Sequence, residues 1–202
     1  MKNRISYFLI VFVMVIDSCS NRFMLSPDSF TKWVENEDNG MHTHCVIGKI
    51  RYDLQYKPVE YVCLIENRNN SGNSDFAKRK KELDGLQYYQ LRISLDKSNA
   101  DLMMNISSGD QDLYRRLSYL EFDFSNRIKL IEDGDSLPCA LYHFQNYQGL
   151  APYVDLVFAF RANPKDNKSA RTLFVDDTIF GSGPLHFEFP SDVFQDTPQL
   201  NN

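Results

Sequence analysis

From Met41 to Tyr56 apolar and polar positions alternate. His44, Val46, Gly48, Ile50, Tyr52, Leu54 and Tyr56 share one parity, and Cys45, Ile47, Lys49, Arg51, Asp53 and Gln55 share the other. A period of two with one mainly apolar face predicts a half-buried strand. Lys57-Pro58 ends it, and Pro58 suits the first turn of a helix. "PVEYVCLIEN" then places Val59, Val62, Cys63 and Glu66 at helical spacing. A polar loop over 67–74 leads to a charged helix, "DFAKRKKELDG", with Gly85 as its C-terminal stop. "LQYYQLRISL" (86–95) reads as a strand, and "ADLMMNIS" (100–107) as another. Ser108-Gly109-Asp110 caps a short helix through Leu117, and "SYLEFDF" and "RIKLIED" read as strands, with Gly134 marking the turn after the second.

The last third has the plainest pattern. "ALYHFQNY", "YVDLVFAF", "RTLFVDD" and "PLHFEFP" are short aromatic or aliphatic runs separated by turn residues. Strands at such spacing predict a sandwich or barrel. The expected fold class is mainly β (α+β): a β-sandwich-like domain over 41–190 with two or three short helices in its first half. Residues 191–202 read as a polar tail in which Val193 and Phe194 are the apolar exceptions. Aromatic residues make up 13% of the chain, in keeping with a β domain.

The N-terminus follows a different rule. Met1-Lys2-Asn3-Arg4 is basic, and an apolar run from Ile5 to Ile16 is broken only by Ser6. That run is shorter than the ~20 residues a spanning helix needs, so it reads as an export signal. It ends Ile16-Asp17-Ser18-Cys19, which resembles the lipobox of bacterial lipoproteins. The resemblance implies cleavage after Ser18, with a diacylglyceryl thioether on Cys19 and an acylated new N-terminus. Residues 1–18 would be the signal peptide and 19–40 a lipid-anchored tether and docking segment carrying Trp33. Ser20-Asn21-Arg22 contains no Asp that would hold the protein at the inner membrane, so the outer membrane is the expected location. The strand style of "GLAPYVDLVFAF" and "DDTIFGSGPLHFEF" is similar to that of uncharacterised small envelope lipoproteins of Bacteroidota-type bacteria.

Loss of residues 1–18 takes the net charge from −5 to −6. An acidic surface argues against nucleic acid as a partner. Three cysteines, Cys45, Cys63 and Cys139, remain beyond Cys19. They match no disulfide framework and read as buried free thiols.

Candidate chemistry is sparse. His42 and His44, two apart on a strand, point to one side, but a zinc site needs three or four ligands, and His143 and His186 lie in other predicted strands. Glu132, Asp133 and Asp135, and Asp176 with Asp177, form acidic turns without the ligand spacing of a calcium loop. "FGSGP" (180–184) precedes a strand rather than a helix, which removes a phosphate-cradle reading. "KRKK" (78–81) reads as a solvated helix face diluted by Glu82 and Asp84. Asp135-Ser136-Leu137 and Asp177-Thr178-Ile179 resemble the Asp-Ser/Thr-apolar sequon of periplasmic O-glycosylation in Bacteroidota, which would place glycans on Ser136 and Thr178. No catalytic set and no cofactor motif emerges.

The expectation is therefore a non-enzymatic, lipid-anchored accessory subunit of an outer-membrane complex for barrel assembly, secretion or transport. Its partners would be the membrane, through Cys19, and envelope proteins. One alternative is a glycan- or peptide-binding lipoprotein that uses Trp33 and the tyrosines as stacking surfaces. Another is a hydrolase built on His and Asp residues.

Overall fold

A computed structural model of the chain describes residues 23–69, 75–163 and 169–201. The leader 1–18, Cys19 and residues 70–74 of the polar loop lie outside the described residues. Eleven strands and six α-helices occur among those described: β1 (Met24–Leu25), α1 (Pro27–Glu35), β2 (His42–Ile47), β3 (Ile50–Lys57), α2 (Val59–Asn69), α3 (Phe76–Leu83), β4 (Leu86–Leu95), α4 (Leu102–Ile106), α5 (Asp110–Phe122), β5 (Ile128–Glu132), β6 (Asp135–Pro138), β7 (Leu141–Gln145), β8 (Tyr153–Arg161), β9 (Arg171–Asp177), β10 (Gly183–Phe189), α6 (Ser191–Gln195) and β11 (Gln199–Leu200). The fold is mainly β and sandwich-like. A five-stranded antiparallel sheet, ordered β2-β3-β4-β8-β7, faces a four-stranded one, ordered β10-β9-β5-β6.

Alternation builds both inner faces. In the smaller sheet Ile128 and Leu130, Leu173 and Val175, and Leu185, Phe187 and Phe189 all point inward and are buried. They meet Tyr52, Leu54, Tyr89, Leu91, Ile93, Leu156, Phe158 and Phe160 of the larger sheet in one core. Interdigitated inner faces of this kind make a sandwich core. The Tyr89 ring lies 5.8 Å from both Phe160 and Phe189, so it bridges the two layers.

Two helical layers complete the structure. The α2 and α3 helices cover part of the outer face of the larger sheet, burying Cys63 and Leu83 against Tyr88 and Ala159. The α1 helix begins with Pro27 at its first turn, where Pro is favoured, and packs Phe30 and Val34 against Tyr61 of α2. The α4 and α5 helices close the core beside β7 and β8 through Leu102, Met103 and Leu120. The first and last described segments meet as well. The short strands β1 and β11 pair in parallel, and Val193 and Phe194 of α6 are buried in the main core.

Three readings of the sequence are corrected. The predicted single strand over Met41–Tyr56 is a hairpin, because Ile47 pairs with Ile50 around Gly48-Lys49, with Gly48 at φ +61°. Gly first in a two-residue loop is the residue order of a type II′ turn. The turn inverts the parity, so His44 and Val46 face outward while Ile50, Tyr52 and Leu54 face the core. The segment over 100–107 contains helix α4, capped by the Asp101 carboxylate accepting from the Met104 N–H at 2.7 Å. "SYLEFDF" is not a strand either, since α5 runs to Phe122 with Leu113, Leu117 and Leu120 turned to the core. α2, α3 and α4 lie in the first half of the 41–190 domain, α5 crosses its midpoint, and α1 and α6 flank it.

Polar groups inside the sandwich are tied in pairs. Glu132 and Arg171 sit opposite each other in the β5–β9 register and form an ion pair at 2.8 Å, at 1% and 3% side-chain exposure. At the other end of β9 the buried Asp177 carboxylate accepts from the Tyr52 hydroxyl at 2.7 Å. It also accepts from the N–H groups of Ile179, Phe180 and Ser182 at 2.9–3.0 Å. One side chain thus fixes the 177–182 loop and links the two sheets. Asp177→Ala leaves three amides without their acceptor and the Tyr52 hydroxyl with Ser182 Oγ, at 2.7 Å, as its remaining partner, and we expect it to destabilise the domain by about 3 kcal/mol. Urea unfolding measures this, and a loss below about 1 kcal/mol would contradict the clamp.

Candidate functional site

The outer face of the five-stranded sheet is only partly covered by α2 and α3. Register places His44, Asp53, Arg92, Asp155 and Gln145 in one row across all five strands. His42, Gln55, Gln90, Val157 and His143 form the next row. An antiparallel sheet with one solvated face carries polar residues there. Here, however, the polar residues are organised. The Arg92 guanidinium forks onto the Asp155 carboxylate at 2.9 and 2.8 Å and lies 3.7 Å over the Tyr153 ring. Asp155 is 1% exposed and also accepts from the Tyr147 hydroxyl at 2.9 Å. Tyr147 and Tyr153 meet edge-on at 5.3 Å. The charge-assisted fork raises the Arg92 pKa, and burial, reinforced by Asp155, pushes the Tyr147 hydroxyl up to about 12.

Arg51 repeats the arrangement one row away. Its guanidinium meets the Asp53 carboxylate at 2.7–2.9 Å, and this hydrogen bonding raises its pKa. Lys57 is desolvated between the sheet and the helices, which lowers its pKa, and its ammonium donates to Gln90 Oε1. Arg51, Asp53, Gln90 and Arg92, with His42 and His44 of β2 and Glu37 and Asp38 from the turn after α1, line an open groove of about 630 Å³.

On the far side of Tyr147 and Tyr153 the surface changes character. A second groove of about 560 Å³ runs between α4, α5 and the loop joining β7 to β8. Met103, Met104, Leu113, Tyr114 and Leu117 form one wall, and Gly149, Ala151, Tyr153 and Val154 the other. Met104 is 64% exposed, Tyr114 73%, and Leu150, at the tip of the loop, 92%. Asp101 and Asp110 stand on its rim, and no Lys or Arg lines it. The tyrosine pair lines the apolar groove, and Tyr153 lies against Arg92, which lines the polar one.

The residues singled out in the sequence do not assemble into a reaction centre. His42 and His44 share the outer face as expected for a strand, but His42 Nε2 lies 3.0 Å from the Val34 carbonyl oxygen. His143 is two strands beyond Gln90 on that face, while His186 is on the outside of the other sheet, against Phe174. No group of three or more His, Cys, Asp or Glu positioned to hold a metal occurs among the described residues. Trp33 is half-buried between two clusters of the core and does not line either groove.

The other candidates also have defined places. Cys45, Cys63 and Cys139 are free thiols, and burial pushes Cys139 up to about 11. Two cations of "KRKK" are used between helices, with Arg79 bonded to Glu66 and Lys80 to Glu60. Asp133 and Gly134, both at positive φ, form the two-residue turn from β5 to β6. Ser136 is exposed, in strand β6 rather than in a turn. Thr178 is exposed just after β9, its hydroxyl 3.0 Å from that of Tyr119.

No family model and no curated protein sequence matches the chain. A crystal structure of a DUF4426 family protein from Pseudomonas aeruginosa is similar at a TM-score of 0.33 and 8% identity. The likeness spans 74% of this chain and 91% of that one. At that level it says nothing about the grooves.

Sequence reasoning missed both grooves. Met104 sat in a supposed strand, and Arg92, Asp155 and Tyr147 carry no motif. The register of β4 against β8, which joins positions 63 residues apart, is what brings Arg92 to Asp155.

Proposed function

We propose that the protein is a non-enzymatic, lipid-anchored subunit of the bacterial outer membrane that holds a partner envelope protein in the apolar groove between α4, α5 and the β7–β8 loop. The supporting observation is the exposure of Met104 and Tyr114 on one concave surface, with exposed Leu150 between the lining residues Gly149 and Ala151. Apolar side chains gathered on a surface mark interaction sites more reliably than scattered ones do. The occupant is a peptide segment of the partner with two or three apolar anchors and a flanking Lys or Arg. The anchors fill the space between Met104 and Ala151, and the cation meets Asp101 or Asp110. A lipid thioether at Cys19 would hold the groove near the membrane without a spanning helix, and no helix among the described residues is long and apolar enough to cross one.

Tyr114 is the anchor to test, since central aromatic residues dominate such contacts. Tyr114→Asp should reduce recovery of the partner from mild-detergent membrane extracts by about tenfold or more. Its exposed position predicts an unchanged unfolding midpoint. Equal recovery with the variant and the parent would refute the groove as the docking site.

A further inference from the structure

We propose that the uncovered polar face of the five-stranded sheet binds an extended, neutral β-1,4-linked hexopyranose chain lying across the strands. This inference uses residues outside the apolar groove and stands whether or not that groove holds a protein.

Charge balance selects the ligand class. Each arginine of the face is already forked to a carboxylate, Arg51 to Asp53 and Arg92 to Asp155. Glu37 and Asp38 leave the lining mildly acidic, so it has no field to attract a polyanion. It offers many short-range donors and acceptors instead. Carboxylate, guanidinium and amide groups each present two polar atoms in a plane, which suits pairs of neighbouring hydroxyls on a sugar ring. A carboxylate oxygen held by arginine keeps a second lone pair for a ligand hydroxyl.

Spacing selects the chain. Adjacent strands are about 4.8 Å apart, close to the repeat of an extended β-1,4-linked pyranose chain. A chain running along the row His44, Asp53, Arg92 would meet a new polar group with each ring, with Gln90 in the parallel row. The turn carrying Glu37 and Asp38 makes the face concave, and its groove of about 630 Å³ is within the usual size of a ligand site.

Rigidity separates this surface from an ordinary solvated sheet. Arg92 is fixed by the buried Asp155 and by the Tyr153 ring, and Lys57 determines which end of the Gln90 amide serves as acceptor. Groups held in place before binding lose little entropy on contact.

Cellohexaose and chitohexaose are the probes, with maltohexaose, which coils, as the control for chain shape. Titration of the isotope-labelled protein should give saturable shifts at His44, Asp53, Gln90 and Arg92 with at least one of the two extended hexasaccharides, and weaker binding of maltohexaose. The double variant His44→Ala/Gln90→Ala should bind about tenfold or more weakly, each lost hydrogen bond accounting for a few-fold, while Tyr114→Asp should bind as the parent does. Unfolding midpoints of both variants check that the fold is intact. Lack of binding by both extended probes, preference for maltohexaose or dextran sulfate, or binding unaffected by the double variant would each overturn the assignment.

Discussion

Replacing Glu132 with Ala is expected to cost the domain about 3–5 kcal/mol, among the largest effects of any single substitution in this fold. The Glu132 carboxylate is enclosed between the sheets, accepting from Arg171 at 2.8 Å and from the Gln87 amide at 3.0 Å. Removing it leaves the Arg171 guanidinium in the core without its carboxylate, held by neutral groups such as the Phe194 ring at 3.8 Å and the Tyr56 and Tyr89 hydroxyls. A cation–π contact of this kind supplies about 2 kcal/mol when desolvated, less than the loss of the buried carboxylate costs. The double replacement Glu132→Leu/Arg171→Met removes both charges and should recover most of the loss, because an apolar pair of similar volume avoids desolvation altogether. Urea unfolding of the two single variants and the double completes the cycle. A Glu132→Ala loss below about 1 kcal/mol would mean that water reaches the pair.

The second large effect lies at the membrane. Cys19→Ser should abolish incorporation of an alkyne-labelled palmitate into the chain, from full labelling to none, because a hydroxyl at that position provides no sulfur for the glyceryl thioether. Retention follows from chain count. A single acyl chain binds reversibly, at about 0.8 kcal/mol per buried methylene, whereas the three chains of a mature lipoprotein sum to an anchorage that does not release. Label remaining in Cys19→Ser, or missing from the parent, would remove the anchor and with it the outer-membrane placement proposed here.

Legibility of the fold tracked the strictness of its patterns. Strands β5, β9 and β10 alternate buried and exposed residues without exception or nearly so, and their inner faces can be read directly. The same rule places Glu132, Arg171 and Asp177 inward, but not their pairing, which depends on register for Glu132 and Arg171, 39 residues apart, and on the packing of one sheet on the other for Tyr52 and Asp177, 125 apart. Alternation also misled. In Met41–Tyr56 it continues through Gly48-Lys49 with no visible break, and the turn reverses which parity is buried. At the end of α5 and just beyond it, Leu120, Phe122 and Phe124 alternate as in a strand, while Leu113, Leu117 and Leu120 carry the helical period over a longer window. The apolar groove was hidden for a different reason. Met104 and Tyr114 look like core residues in sequence, and only the packing of α4 and α5 shows that nothing in the described chain covers them.

Site-directed photo-crosslinking in living cells tests occupancy of that groove most directly. A photoreactive phenylalanine is placed at position 104 or 114, and a control at the exposed Lys129 on the opposite sheet. The account predicts one discrete adduct from 104 and 114, none from 129, and an attachment point within an apolar stretch flanked by Lys or Arg. Adducts of equal yield from all three positions, or none from 104 and 114, would contradict it.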